Sequence, residues 1–193
     1  MEDSVQSVRH QLEAIIRQKS ESLLKSFGSV DPVRSSSPPS TFLVHGHRMT
    51  VILISSPVVR ITFKAHFNEF ESSGLIKTRL KSIKEPIPSE QVLDYFKEYC
   101  NVIAGAVKSE LKTVGIDAGI SLPLAARGFD ELFFPTPDNK RTFENTWTIE
   151  HPFGNFRCSL FCQILDPSAF EKIPPHAFNS PDTSNSDGEM ELL

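Results

Sequence analysis

The residues from Ser89 to about Val114 constrain the fold most, because they carry one long helical pattern of apolar side chains. The apolar positions recur every three or four residues, which places them on one face of a helix. Ser89 is a candidate N-cap, Glu90 favours the first turn, and Gly115 supplies the stop. The predicted core face comprises Val92, Phe96, Tyr99, Cys100, Ile103, Ala104, Val107, Leu111 and Val114.

The opposite face of this helix carries a polar stripe, whose members are spaced by four, three, four, three and four residues and therefore line up. Asn101 is unusual in it, because an Asn amide competes for the backbone in mid-helix. Gly105 is also unusual, since Gly costs about 1 kcal/mol relative to Ala in a helix interior. Either the small residue admits a partner's backbone or a catalytic loop, or this is a solvated face with an incidental Asn and Gly. The stripe consists of Asp94, Glu98, Asn101, Gly105, Lys108 and Lys112.

The rest of the chain predicts a second long helix and several strands. Residues 4–27 are amphipathic, with Gly28 after them. Alternation of apolar and polar residues predicts strands at 58–67, 142–149 and 156–165, and the last two are expected to form a hairpin. Further strands are expected within 41–54 and at 120–124, and a short helix within 68–83. The predicted fold class is α+β, a mostly antiparallel sheet with two long helices packed on one face.

Composition divides the chain into four segments. Residues 1–28 form the N-terminal amphipathic helix, and 29–40 (SVDPVRSSSPPS) read as a Ser/Pro-rich linker. Residues 41–165 form the α+β domain, on which the N-terminal helix is expected to pack. Residues 166–193 hold four prolines and many Ser, Asp and Asn, which predicts a partly disordered tail that makes few contacts beyond about Phe178.

Charge and hydropathy exclude several classes of function. The net charge is −4 and the pI is about 5.9, which disfavours nucleic-acid binding because that needs a basic surface. No apolar run approaches the roughly 20 residues that span a bilayer, and the first residues do not form a signal peptide. Three cysteines without C-x-x-C spacing are interpreted as buried reduced thiols. The expected location is cytoplasmic.

Other catalytic or metal sites find little support in the sequence. His45 and His47 could place two imidazoles on one strand face, but no third ligand is near them. Asp94 and Glu98 lie one turn apart on one helix rather than across a cleft, which argues against glycosidase chemistry. There is no serine elbow, P-loop or dinucleotide-binding loop. No metal site is therefore predicted.

The segment DYFKEYCNVIAG and the downstream ISLP resemble the signature of the CheC/CheX/FliY phosphatases of bacterial chemotaxis. That signature is Asp or Ser, three residues, Glu, two residues, Asn, and a Pro some twenty residues on. In this chain Asp94, Glu98, Asn101 and Pro123 occupy those positions, and NVIAG is similar to the CheX version. The resemblance covers residues 89–165 well and 41–67 only in strand pattern.

The resemblance implies a single site. CheC- and FliY-type members carry Glu-x-x-Asn on each of two long helices, whereas the first helix of this chain has Glu13 followed by Ile16 where Asn is needed. The chain is therefore similar to the one-site CheX type. Its linker and its tail after Asp166 depart from the family core.

The resemblance also implies roles for the residues of the stripe. Asn101 would orient the water that attacks an aspartyl phosphate, and Glu98 would pair with an active-site Lys of the response regulator. Asp94 would help to dock the partner, and Gly105 would provide clearance. No cofactor is expected on this chain, because the Mg²⁺ ion belongs to the partner regulator.

Two functions remain open at this stage. The first is an aspartyl-phosphate phosphatase acting on a CheY-like response regulator in chemotaxis or two-component signalling, and retention of both Glu98 and Asn101 favours it. The second is a non-catalytic CheX-like module that binds a regulator or dimerises, which the linker and tail favour. A homodimer is an open alternative to a monomer, because CheX-like proteins dimerise and strand edges are available.

Overall fold

The structure is a computed structural model that describes residues 2–26, 34–36, 47–79, 87–128, 141–151 and 154–171. The helices in these ranges are α1 (Glu2–Ser26), α2 (Glu69–Arg79), α3 (Ser89–Thr113) and α4 (Ser168–Glu171). The strands are β1 (Arg34–Ser36), β2 (Arg48–Ser55), β3 (Val59–Phe67), β4 (Gly119–Ile120), β5 (Leu124–Arg127), β6 (Thr142–Glu150) and β7 (Phe156–Ile164).

The described strands form one antiparallel sheet in the order β1-β6-β7-β3-β2, with β4 and β5 both paired to the outer side of β2. The predicted hairpin is confirmed, because β6 and β7 pair in a register that sets Ile149 opposite Phe156. The predicted fold class is also confirmed. One sheet with two 25-residue helices is the α+β layered arrangement expected from the sequence.

The core lies between the sheet and the two long helices. Alternate residues of β3 point into it, and Ile61, Phe63 and Ala65 are completely buried. Leu12 and Ile16 of α1 belong to the same cluster of apolar side chains. Both long helices therefore cover the same face of the sheet, and β2, β3, β6 and β7 contribute buried side chains to that face.

A buried serine joins the two helices to the sheet. The Trp147 indole N–H in β6 donates to Ser20 Oγ at 3.0 Å, and the Tyr99 hydroxyl in α3 donates to the Ser20 carbonyl at 2.8 Å. Burial raises the pKa of the Tyr99 hydroxyl, so this group stays protonated and acts as a donor. Ser20 is fully buried, and it fixes where α1 sits across β6.

The ends of α3 confirm one predicted signal and correct another. Gly115 has a φ of 82°; its N–H donates to the Lys112 carbonyl at 3.0 Å, and the Ile116 N–H donates to the Leu111 carbonyl at 2.9 Å. This is the double hydrogen bond of a Schellman stop. The prediction that Ser89 is the N-cap is wrong. The extended capping residue is Pro88, whose side chain cannot cap, and Ser89 is already helical.

The predicted strand at 120–124 is interrupted. β4 ends at Ile120 and β5 begins at Leu124, because Pro123 has no N–H for a ladder bond. Ser121 bridges the break, since its N–H donates to the Leu53 carbonyl at 2.9 Å and its Oγ accepts from the Leu53 N–H at 3.0 Å. The connection between the two strands is thereby held against β2.

The two segments outside the predicted domain both contribute residues to it. Arg34–Ser36, inside the segment interpreted as a linker, forms β1 at the edge of β6. Phe170 of α4, inside the segment interpreted as a tail, is 3% exposed and belongs to the core. The predictions for Gly28, for most of 41–47 and for the tail beyond 171 fall outside the described residues.

The three cysteines are free and buried, as the sequence predicted. Burial raises the pKa of the Cys158 and Cys162 thiols well above the usual range. Since thiolates are the reactive species, these residues behave as small apolar side chains.

Candidate functional site

The outward stripe of α3 lies where the sequence predicted it. Asn101 is exposed, Glu98 is partly exposed, and the side chain of Asp94 retains 64% of its accessible surface. Their counterparts on the opposite side of the helix are buried. The buried residues of α3 are Val92, Tyr95, Phe96, Tyr99, Cys100, Ile103, Ala104, Val107 and Leu111.

Aromatic packing fixes the rotation of α3 about its own axis. The Phe96 ring stacks on Phe67 of β3 with centroids 3.8 Å apart and an angle of 8°. Phe156 of β7 meets the edges of Phe96 and Tyr99 at centroid distances of 5.1 and 5.2 Å. Because these rings lie on one side of the helix, the stripe on the other side must face solvent.

The stripe lies on the outer side of α3, above the flank of the helix that contacts β2 and β5. α1 occupies the other flank, through the Tyr99 contact and a Lys19–Glu110 ion pair of 3.9 Å. Below Asn101, the neighbouring Cys100 thiol lies 3.9 Å from the Thr50 carbonyl of β2. Thr50 is paired with Ala125 of β5, so the edge strand runs alongside the Asn101 turn of the helix.

Two exposed leucines belong to this edge, and the sequence pattern did not single them out. Leu122 is 83% exposed and Leu124 is 65% exposed, on either side of Pro123. The ISLPL pattern predicted only a short strand, and large apolar side chains are ordinarily buried. The break at Pro123 leaves Leu122 exposed, and Leu124 pairs with Val51, so its side chain lies on the face of the sheet away from α3.

The two central polar groups of the stripe are not engaged within the fold. Among the residues that the structure describes, neither Glu98 nor Asn101 has a hydrogen-bonding or ionic partner. Asp94 differs, because the Lys97 ammonium lies 3.0 Å from its carboxylate. The carboxylate and the amide, one turn apart, are thus available to an incoming molecule.

Nothing in the described fold requires a glycine at position 105. The positive φ angles of described glycines occur at Gly115 and Gly154 instead. A Cβ added to Gly105 would have no atom within 4 Å. The residue therefore leaves open space on the stripe, which fits the predicted clearance for a partner.

The corresponding positions of α1 do not form a second stripe of this kind. Ile16 is completely buried, and Glu13 accepts a hydrogen bond from the Asn145 amide of β6. The glutamate of α1 is thus used to attach the helix to the sheet. This agrees with the interpretation of a single site.

Other candidate sites lie away from the stripe or lack ligands. A cavity of about 250 Å³, lined in part by Phe70, Ile87 and Val92, opens near the start of α3 on the side opposite Asn101. No cluster of three His, Cys, Asp or Glu side chains that could hold a metal occurs in the described ranges. His47 is exposed there, and His45 lies outside those ranges.

No helix within the described residues is both long and apolar enough to cross a membrane.

One antiparallel sheet that carries two long helices on one face is a fold with counterparts among solved structures. Solved structures of CheC-like and CheX proteins have this fold. A CheC-like superfamily protein from Shewanella sp. PV-4 superposes with a TM-score of 0.63 at 15% identity, covering 79% of this chain and 97% of that chain. CheX from Vibrio vulnificus superposes with a TM-score of 0.60 at 15% identity, covering 77% and 97%.

A third neighbour is CheX of Borrelia burgdorferi, solved in complex with CheY, BeF₃ and Mg²⁺. It has a TM-score of 0.58 at 14% identity and covers 78% of this chain and 96% of that chain. Neither a protein-family model nor a curated protein matches the sequence. At these identities the likeness shows the fold, and the resemblance found in the sequence is confirmed at that level.

Proposed function

We propose that this protein binds a CheY-like response regulator and hydrolyses its aspartyl phosphate. The observation that carries the proposal is the pair Glu98 and Asn101, which is accessible and without a partner in the described residues, on the outward stripe of a CheX-like fold. The complex of a structural neighbour with CheY supports the choice of partner. This function belongs to the cytoplasm, which suits three free thiols.

In this reaction the chain has to position the attacking water and dock the regulator. The divalent ion and Lys of the regulator neutralise the phosphoryl oxygens. Asn101 accepts a hydrogen bond from the attacking water through its carbonyl oxygen and holds the water in line with the P–O bond to the regulator's Asp. The water oxygen bonds to phosphorus, the Asp carboxylate leaves, and the proton of the water goes to the inorganic phosphate that forms. Glu98 docks the helix on the regulator's Lys.

The direct test is the rate of dephosphorylation of phosphorylated receiver domains from the source organism, measured with and without the protein. Acceleration of one of them supports the proposal. Tight binding of a phosphorylated regulator without acceleration would instead support the non-catalytic CheX-like module.

Glu98→Ala should weaken docking as well as turnover, because it removes a carboxylate that faces a lysine of the partner. We expect KM to rise about tenfold, equivalent to about 1.4 kcal/mol of binding, when initial rates are measured over regulator concentration. Glu90→Ala is the matched control, since Glu90 is exposed two turns earlier on the same helix. Equal KM values for the two variants would contradict the role of Glu98.

Gly105→Ala should separate stability from function. The open space around Gly105 accepts a methyl group, so helix propensity should raise the free energy of unfolding by about 0.5–1 kcal/mol. If a partner backbone approaches there, the same variant should bind the regulator more weakly. Urea unfolding and regulator titration measure the two effects. Ser22→Ala, at an exposed position of α1, provides a propensity control. Unchanged regulator affinity in Gly105→Ala would argue against clearance.

A further inference from the structure

Charges are ordered along the stripe of α3. Its N-terminal part carries the carboxylates of Asp94 and Glu98, and Lys108 places an ammonium group further towards its C-terminal end. Asn101 lies between these carboxylates and the ammonium group. A partner that presents a cation and an anion side by side can therefore dock favourably in only one direction along the helix.

Lys108 is placed to reach the neighbourhood of Asn101. It lies seven residues further on, which is two turns and about 10.5 Å along the axis. Helical side chains lean towards the N-terminus, so the Lys108 side chain extends over the turn of Gly105. That turn is open, because nothing lies within 4 Å of a Cβ built on Gly105. Asn101 and Lys108 thus flank a recess in the stripe.

The ammonium of Lys108 has no use within the described fold. It is partly exposed, and it forms no ion pair or hydrogen bond with the residues that the structure describes. Lys19 and Lys97 differ, since they pair with Glu110 and Asp94. The helix dipole accounts for Lys112 in the last turn, but this effect falls off within one turn and does not account for Lys108.

We propose that Lys108 is a phosphoryl-contacting residue, which reaches across the Gly105 recess and donates a hydrogen bond to a phosphoryl oxygen of the docked aspartyl phosphate. This inference rests on the proposed function. A cation is useful at this place, because the dianionic phosphoryl group must approach a stripe that already carries Asp94 and Glu98. With the regulator's Lys against Glu98, the phosphoryl group lies towards Lys108.

The experiment compares Lys108→Gln, Lys108→Arg and Lys112→Gln with the unchanged chain. Lys112→Gln is the matched control, because this exposed lysine lies one turn further on the same stripe. Each protein is assayed for dephosphorylation and titrated with the regulator, once free and once loaded with beryllofluoride and Mg²⁺. Lys108→Gln should lower kcat about tenfold or more and reduce the preference for the loaded regulator, while Lys108→Arg retains most of both.

The outcomes separate the two proposals. A wild-type protein that neither accelerates dephosphorylation nor prefers the loaded regulator overturns the proposed function, and the role of Lys108 with it. If the wild-type protein accelerates dephosphorylation and prefers the loaded regulator, a different result overturns the role of Lys108 alone. That result is a kcat and a binding preference in Lys108→Gln that equal those of the wild type or of Lys112→Gln. Affinity for the free regulator should stay within about twofold in all variants, because the contact is with the phosphoryl group.

Discussion

Asn101→Ala should remove the acceleration of regulator dephosphorylation and leave regulator binding nearly intact. The amide acts on the attacking water, so its loss raises the barrier of the chemical step more than it weakens the complex. We expect a loss of kcat of about a hundredfold or more, which corresponds to about 2.7 kcal/mol of transition-state positioning. Single-turnover measurements with saturating protein isolate this step from docking.

The exposure of Asn101 makes the test clean, because an exposed side chain without a partner in the described fold contributes little to stability. Asn101→Asp is the sharper variant, since it keeps the size but places a negative charge against the phosphoryl group. It should be inactive too. Full activity of either variant at saturation would show that the water is positioned by another group.

Phe96→Ala should lower the free energy of unfolding by about 3–5 kcal/mol, the usual cost of removing a fully buried phenylalanine. Phe96 is completely buried, and it stacks on Phe67 and meets the edge of Phe156. The change leaves a cavity where α3 rests on β3 and β7. Urea unfolding followed by circular dichroism gives the difference from the midpoint and slope.

Lys112→Ala serves as the control for this variant, because Lys112 is exposed on the same helix. Its effect should stay within about 0.5 kcal/mol. A loss below about 1 kcal/mol for Phe96→Ala would mean that α3 does not rest on the sheet through this ring. The orientation of the whole stripe would then be in question.

The sequence was sufficient to predict α3 and the direction of its stripe, for a definite physical reason. Apolar residues at helical spacing must be buried together, which turns Glu98 and Asn101 outwards whatever the helix packs on. The strands β3, β6 and β7 were predictable in the same way from their alternation. What chemistry the stripe performs cannot be read from this periodicity and remains a proposal.

Features that depend on distant partners could not be predicted. β1 is three residues long and is held by backbone pairing with β6, so no apolar pattern marks it. The exposure of Leu122 follows from the break at Pro123 and from the attachment of Ser121 to β2. Likewise, the burial of Ser20 in α1 cannot be predicted from the local sequence, because it depends on hydrogen bonds with the distant residues Trp147 and Tyr99.

The bond from Ser20 to Trp147 spans 127 residues of sequence, and this has a consequence for how the chain is made. A ribosome adds roughly 5–20 residues per second, so α1 waits on the order of 6–25 s before its indole partner has been synthesised. During that time β6 and β7, which complete the core around Leu12 and Ile16, have not been made. The apolar face of α1 is therefore available to chaperones until β7, which follows β6 in the chain, has joined β6 to β3.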